Sequence, residues 1–370
     1  MFSSSTTGKK RNADTEPTSS EPSSSKLPCL LPEIDSVVPP PPPTLKEEPY
    51  LRLDLLEMSE IPHYWKDVWN IGSGAFGKVH LIHSDHIDQT GQKIIHNEFA
   101  IKSIRFAPAK LVSVVREIEM HRKCRNHENV LFLGLCYCQK VNEGYRVQMC
   151  MQYAGLSDLS LFAGKYKYEK HVAYCVEGLL QGLEHVHSCG VVHGDVSLKN
   201  VLMTHTGTIK LADFGCAHTV EYTKHDQQKF IGGTPGYIAP EVIKKGGFDT
   251  KADIWSVASF TAFLMSGVNP FKRGIIFDLE LYTKLILENV EPIIPIEFSD
   301  DLKNFLKQMF CYDPLERTTA TSLLSHNFLQ TKVAQKEMAD YYKEIRTCQG
   351  IDLPYPHESE TPFYVPCVKE

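Results

Sequence analysis

The chain has 370 residues, 42% hydrophobic and 23% charged, enough to bury a large core in one or two packed lobes flanked by tails. No apolar run reaches the length of a bilayer span, and the N-terminal residues lack the apolar segment of a secretory signal. A net charge of −6 argues against nucleic acid as the main ligand, and the 11 cysteines show no zinc spacing, so they read as reduced thiols of an intracellular protein.

Residues 1–48 are rich in Ser, Thr, Pro and charge and bury too little apolar surface to offset their ordering entropy, so a disordered tail is expected. Within it, Pro39–Pro43 reads as a stiff polyproline spacer, with a proline-binding domain as the alternative partner. The basic Lys9-Lys10-Arg11 reads as solvated tail charge; the expected location is cytoplasmic, with nuclear entry left open. From Trp65 the pattern turns globular. Strands are expected at Val68–Ile71, Lys78–His83 and Glu98–Ile104, separated by a glycine loop and by the turn Asp88-Gln89-Thr90-Gly91. A helix after Pro108 places Leu111, Val115, Ile118 and Arg122 on one face, and strands follow at Val130–Tyr137 and Arg146–Tyr153. After Asp158 the period becomes helical. Val172, Val176, Leu179, Leu183 and Val186 mark a long buried helix, and further helices run to about Gln330. The expected fold is α+β: a small mostly-β lobe with one helix over 65–152, meeting a larger mostly-α lobe over 156–330 near Gln152–Gly155. Residues 332–370 read as a second tail, in which Ala334, Met338, Tyr341 and Ile345 could form one amphipathic helix.

The chemistry concentrates in His193–Asn200 and Asp213–Gly215. Asp195, Asn200 and Asp213 fall on two closely spaced turns, the set that phosphoryl transfer from a nucleotide needs: a carboxylate to accept a hydroxyl proton, and an amide and a carboxylate to hold magnesium through oxygen. A lone Asp195 would read as a helix cap or turn residue, but Asn200 at this spacing with Asp213 beyond makes that reading weak. Upstream, the glycines of Gly72–Val79 let backbone N–H groups approach phosphate oxygens. Such a loop is weak evidence alone. A Rossmann turn would need a helix next, whereas Val79-His80-Leu81-Ile82 continues as strand and suggests a flap over a nucleotide. Lys102 sits inside an apolar strand and must find a carboxylate or phosphate, unless it is an edge lysine that snorkels. Glu117 and Glu119 are both candidates; Glu117, next to Ile118 at the edge of the apolar face, is preferred.

In order and spacing, Gly72–Val79, Lys102, His193–Asn200, Asp213–Gly215 and Ala239–Glu241 resemble the eukaryotic protein kinase family over about Trp65 to Gln330. The resemblance implies a two-lobed enzyme using ATP and Mg2+ on protein substrates. It implies that Ile71, Gly72, Ser73, Gly74, Ala75, Phe76, Gly77, Lys78 and Val79 cover the nucleotide, that Val79 and Ala100 line the adenine, and that Leu202 lies beneath it. Lys102, paired with Glu117, would contact the α- and β-phosphates; Asp195 would deprotonate the acceptor; Asn200 and Asp213 would ligate magnesium. Gly233–Glu241 looks like the serine/threonine branch, with Thr234 near Asp195, Glu241 paired with Arg317, and Asp253 capping and bracing the catalytic loop from a central buried helix.

Two positions depart from the family pattern. Gly194 stands where family members use arginine to grip a phosphorylated activation loop, so phosphate on Thr219, Tyr222 or Thr223 should matter little. Ser197 replaces a lysine, while Lys199 lies just before Asn200, where some tyrosine kinases carry their basic residue. The Lys199 stem could bring an ammonium to the γ-phosphate; a solvent-facing lysine is the alternative. Gly194 with Val196 resembles MAP kinase kinase kinases of the NF-κB-inducing kinase type. The expected function is a serine/threonine protein kinase of intracellular signalling. The alternative is a pseudokinase or scaffold that binds nucleotide and partner proteins. Retention of Lys102, Glu117, Asp195, Asn200 and Asp213 favours activity, because a scaffold has no physical need for them.

Overall fold

β-branched and apolar residues alternating after Trp65 fold into five antiparallel strands: β1 (Trp65–Gly74), β2 (Gly77–Ile87), β3 (Lys93–Phe106), β4 (Leu133–Val141) and β5 (Gly144–Gln152). Their order across the sheet is β1-β2-β3-β5-β4. The computed structural model describes residues 65–74, 77–87, 93–155, 158–225, 232–244, 247–273 and 278–349. The tail 1–48 with its Pro39–Pro43 run, the turn Asp88–Gly91, and Ala75 and Phe76 of the glycine loop lie outside the described residues.

Among the described residues one helix, α1 (Leu111–Cys124), packs on the sheet and is entered through a 3-10 turn whose Pro108 supplies a preset φ. Its Val114 and Ile118 join Ile104, Leu133, Val147, Met149 and Met151 in the N-lobe core. The strand expected from Val130 starts instead at Leu133. Val130 is diverted into an isolated parallel bridge with Leu211, which ties the connector after α1 to the second lobe.

The chain leaves β5 through Tyr153–Gly155 into a helical lobe. Its elements are α2 (Glu169–Ser188), α3 (Val220–His225), α4 (Pro240–Ile243), α5 (Lys251–Ser266), α6 (Leu279–Leu287), α7 (Asp300–Met309), α8 (Ala320–Leu323), α9 (Asn327–Gln330) and α10 (Gln335–Gln349). Two small ribbons interrupt it: β6 (Val191–Val192) pairs with β9 (His218–Thr219), and β7 (Val201–Met203) with β8 (Ile209–Leu211). Helix α5 is apolar on nearly all sides and is accordingly buried along most of its length. It packs with α2 and α7 around Val176, Leu183, Val257, Phe260, Leu302 and Phe305.

One further expectation needs correction. Residues 332–349 are not a loose tail. The amphipathic helix forms as α10, and its apolar face is covered: Met338 and Tyr342 are fully buried, and Tyr342 stacks on Phe162 with centroids 3.7 Å apart. Polar contacts fix its register on α2, with Lys170 Nζ 2.6 Å from Glu337 Oε1 and the Tyr341 ring 3.9 Å from that of His171. Asp253 braces the His193–Asn200 loop from the buried helix α5, as expected.

Candidate active site

Between sheet and helical lobe lies a cavity of ≈ 480 Å³ lined by Ile71, Gly72, Gly77, Val79, Ala100, Lys102, Glu117, Met151, Lys199, Asn200, Leu202 and Asp213, among others. Strand β2 returns antiparallel to β1, pairing Ser73 with Lys78 and Gly74 with Gly77, so the glycine segment is a hairpin above the cavity. Gly77 has φ +120, and a Cβ there would collide with the Ser103 carbonyl oxygen. Of the expected nucleotide-covering residues, Ser73, Gly74 and Lys78 belong to this hairpin, and Lys78 does not line the cavity.

Lys102 points from β3 toward α1 and donates to Glu117 Oε1 at 2.7 Å and to Asp213 Oδ1 at 3.1 Å. The pairing selects Glu117 over Glu119 because the helical period turns Glu117 inward with Ile118. Burial opposes the lysine's charge, but the Glu117 and Asp213 carboxylates outweigh it and raise its pKa. The carboxylates are pushed apart. Burial, with Asp213 adding to it, raises Glu117 despite Lys102, whereas at Asp213 burial is outweighed by Lys102 and the Gly215 N–H, which lower its pKa. Asp213 is held at φ 62, a left-handed conformation uncommon for a residue with a side chain.

The loop His193–Asn200 is fixed from below. Asp253 Oδ2 accepts from the His193 N–H and Oδ1 from the Gly194 N–H, each at 2.9 Å, and His187 Nε2 lies 2.8 Å from Oδ2. Asn200 Nδ2 donates to the Asp195 carbonyl and to Asp195 Oδ2, both at 2.8 Å. The other oxygen, Asp195 Oδ1, accepts from the Thr234 N–H at 2.8 Å and from Thr234 Oγ1 at 2.7 Å. Among the described residues, Asn200 Oδ1 and Asp213 Oδ2 accept no hydrogen bond, and both residues line the cavity. Two uncommitted oxygens at the cavity wall suit a hard divalent cation that takes its remaining ligands from phosphate and water. Lys199 is exposed and lines the same wall, while Ser197 is buried, with an Oγ that finds no partner among the described residues.

Gly194 has φ +78, and a Cβ added there would stand 2.7 Å from the Cys216 carbonyl oxygen. The loop backbone is therefore built around glycine, and an arginine could not be installed without moving it. Of the three activation-segment hydroxyls, that of Thr223 is buried and donates to Val220 O, Thr219 Oγ1 accepts from the Tyr222 N–H, and Tyr222 is exposed and stacks on His218. Further down, Arg317 grips Glu241 with both terminal nitrogens at 2.7 and 3.0 Å.

One residue of the site carried no signal in the apolar pattern. His121 lies one helical turn past Glu117, lines the cavity and stacks on Phe214 with centroids 4.6 Å apart. Its Nε2 lies 2.7 Å from the Leu131 carbonyl oxygen, and burial lowers its pKa to about 4. The i, i+4 spacing to Glu117 on a buried face was the available clue.

Residues 65–329 match the model of the protein kinase domain family. The chain is 47% identical over 312 residues to the Caenorhabditis elegans protein named "Putative tyrosine-protein kinase C03B1.5", covering 84% of this chain and 94% of that protein. It is 32% identical over 275 residues to mitogen-activated protein kinase kinase kinase kinase 3 of Rattus norvegicus, covering 71% of this chain and 29% of that protein. It is 29% identical over 282 residues to the serine/threonine-protein kinase pakE of Dictyostelium discoideum, covering 74% and 28%. These relatives come from several kinase groups and leave the subfamily unresolved.

Proposed function

The chain belongs to the protein kinase family, and on that premise we propose that it transfers the γ-phosphate of ATP, with Mg2+, to serine and threonine hydroxyls of protein substrates in intracellular signalling. The observation that carries the acceptor preference is the double contact of Thr234 with Asp195 Oδ1. It seats the Gly-Thr-Pro-Gly-Tyr-Ile-Ala-Pro-Glu segment, which resembles the serine/threonine branch, against the proposed base.

In this reading Lys102 holds the α- and β-phosphates and Glu117 fixes its ammonium. The hairpin from Ile71 to Val79 covers the phosphates, and Val79, Ala100 and Leu202 enclose the adenine. Asn200 and Asp213 hold the cation, whose chemistry is to neutralise charge on the transferring phosphoryl group. Asp195 orients the acceptor hydroxyl and takes its proton; Asn200 and Thr234 keep both of its oxygens aimed. Lys199 supplies a cation to the γ-phosphate in place of Ser197.

A second reading, tyrosine as acceptor, draws on two observations: the name of the relative that is 47% identical, and the position of Lys199 directly before Asn200. Incubation of the purified protein with labelled ATP, Mg2+ and a mixed peptide library, followed by phosphoamino-acid analysis, separates the two. Phosphoserine and phosphothreonine are expected. Phosphotyrosine alone would move the assignment to the second reading, and no transfer at all would leave a nucleotide-binding scaffold.

A further inference from the structure

Helix α10 lies beyond the residues that match the kinase-domain model, yet it grips two segments that line the cavity. The first is the hairpin of β7 and β8. Leu202 of β7 lines the cavity, and the hairpin turn, residues 204–208, runs against α10. Gln335 Nε2 donates to the Thr206 carbonyl oxygen and to Thr208 Oγ1, each at 3.1 Å. Gly207, at φ +88, meets the start of α10 closely: a Cβ there would stand 2.9 Å from the Gln335 carbonyl oxygen and 3.2 Å from Ala339 Cβ. The second segment is the 3-10 turn Leu159–Phe162. Its N-cap, Asp158, lines the cavity, and Phe162 stacks on Tyr342. The two segments join in a backbone bridge between Asp158 and Leu202. We propose that α10 is a positioning element for the nucleotide: through Gln335, Ala339 and Tyr342 it holds Leu202 and Asp158 where the adenosine moiety needs them.

This role rests on the reading of the cavity as a nucleotide site. The residues assigned to the chemistry have anchors of their own. Asn200 is held by Asp195, and Asp213 by Lys102 and the Gly215 N–H. Leu202 has an apolar side chain, and its place is set by backbone pairing with Lys210 and by the bridge to Asp158. The hairpin has three residues in each strand, and a two-stranded ribbon that short is not stable by itself. What packs on its turn therefore sets its tilt, and through the tilt the position of Leu202. Loosening α10 should weaken the hold on adenosine while the proton acceptor and the cation ligands stay in place. A loss of that kind raises KM and spares kcat.

A contact that secures α10 without touching either segment supplies the control. Lys332, just before the helix, places its Nζ 2.8 Å from Glu177 Oε1 on α2. A helix that merely covered the core would respond to loss of this contact as it does to loss of the others.

The full chain and its variants are compared by ATP KM, kcat, urea midpoint and the dissociation constant of adenosine, measured by calorimetry. Adenosine carries no phosphate, so it reads this part of the cavity without turnover. The double variant Gln335→Ala, Ala339→Leu removes two hydrogen bonds and wedges α10 off Gly207. It should raise ATP KM and the adenosine dissociation constant together by roughly three- to tenfold, with kcat within about twofold of wild type. Gln335 is exposed, so Gln335→Ala alone keeps the fold and should raise the adenosine constant by roughly two- to threefold. Lys332→Ala should leave both constants at their wild-type values. Unchanged adenosine affinity in Gln335→Ala and the double variant, or a fall in kcat with KM intact, would overturn the positioning role. So would equal shifts in Lys332→Ala and Gln335→Ala. A wild-type chain that binds neither adenosine nor ATP would remove the nucleotide reading itself, and the role of α10 with it. Adenosine binding that responds to Gln335→Ala in a chain without transfer would uphold that role in a scaffold.

Discussion

Lys102–Glu117 and Arg317–Glu241 are both buried cation–carboxylate pairs, and the same charges do different work in each. Arg317 has its donors committed to protein: two to Glu241, with Nε on the Cys311 carbonyl at 2.9 Å and Nη1 also on the Lys251 carbonyl at 2.7 Å, and the Trp255 ring 5.2 Å beneath. Four of its five N–H groups are bonded within the fold and the side chain is buried, so it presents no face to a ligand. Lys102 instead faces a cavity and is shared by two carboxylates whose pKa values are driven in opposite directions. A pair buried away from any cavity holds segments together, and one at a cavity wall keeps its charge within reach of a ligand.

The strongest way to break this contrast is to remove a group that touches the reaction. Lys102→Met and Asp195→Ala should each lower turnover on the order of a thousandfold or more, through lost positioning and lost proton acceptance. Urea midpoints should stay near wild type, since Glu117 can take up a proton once Lys102 is gone. A Lys102→Met protein that unfolds as readily as an Arg317 variant would erase the distinction.

Arg317→Met is the mirror experiment. It leaves Glu241 buried and unpaired, so stability should fall by about 3–5 kcal/mol in equilibrium unfolding, while the folded fraction keeps its ATP KM. Lys199→Ala comes next, with turnover reduced by roughly 10–1000-fold and little change in ATP affinity. Partial recovery in the double change Ser197→Lys, Lys199→Ala would locate the required charge; unaltered turnover in the single variant would assign Lys199 to solvent.

His121 sharpens the comparison through pH. Its folded pKa, about 4, lies below the ordinary 6.5, so the unfolded chain binds a proton that the native ring refuses. Its contribution is complete above pH 6.5 and is lost as pH falls toward 4, with a slope of at most about 1.4 kcal/mol per pH unit. His121→Phe keeps a ring on Phe214 and should flatten that limb; an identical acid limb would assign it to other groups. The smallest change is Gly194→Ala, which should cost about 1–2 kcal/mol of stability because an L-residue resists φ +78. Phosphatase treatment of the wild type should leave turnover unchanged, and a fall tracking loss of phosphate from Thr219 or Tyr222 would contradict the missing cation.

Much of this was legible in the sequence where one residue pattern determines one local outcome. The alternation in β1–β5, the period of α2, and the choice of Glu117 over Glu119 all follow from which face is apolar. What could not be read depends on partners distant in sequence. Val130 scores as strand, yet its bridge to Leu211 removes it from β4. The amphipathic face of α10 was visible, but not that Phe162 and α2 would cover it. The bracing role of Asp253 was legible, but not which two N–H groups, about 60 residues upstream, its oxygens would take. The two-residue strands β6 and β9 carry no periodicity at all.

The docking of α10 also sets an order of assembly. Its Met338, Tyr342 and Ile345 belong to the same core as Val172, Val176 and Leu179 of α2, but the two helices are separated by most of the C-lobe sequence. At a synthesis rate of about 5–20 residues per second, α2 exists for roughly 10–30 s before the helix that covers it has been made. During that interval the face around Phe162 and His171 is open, so the C-lobe reaches its native core only when nearly all of its chain is in place, and a nascent chain stalled before Gln335 presents that face to chaperones.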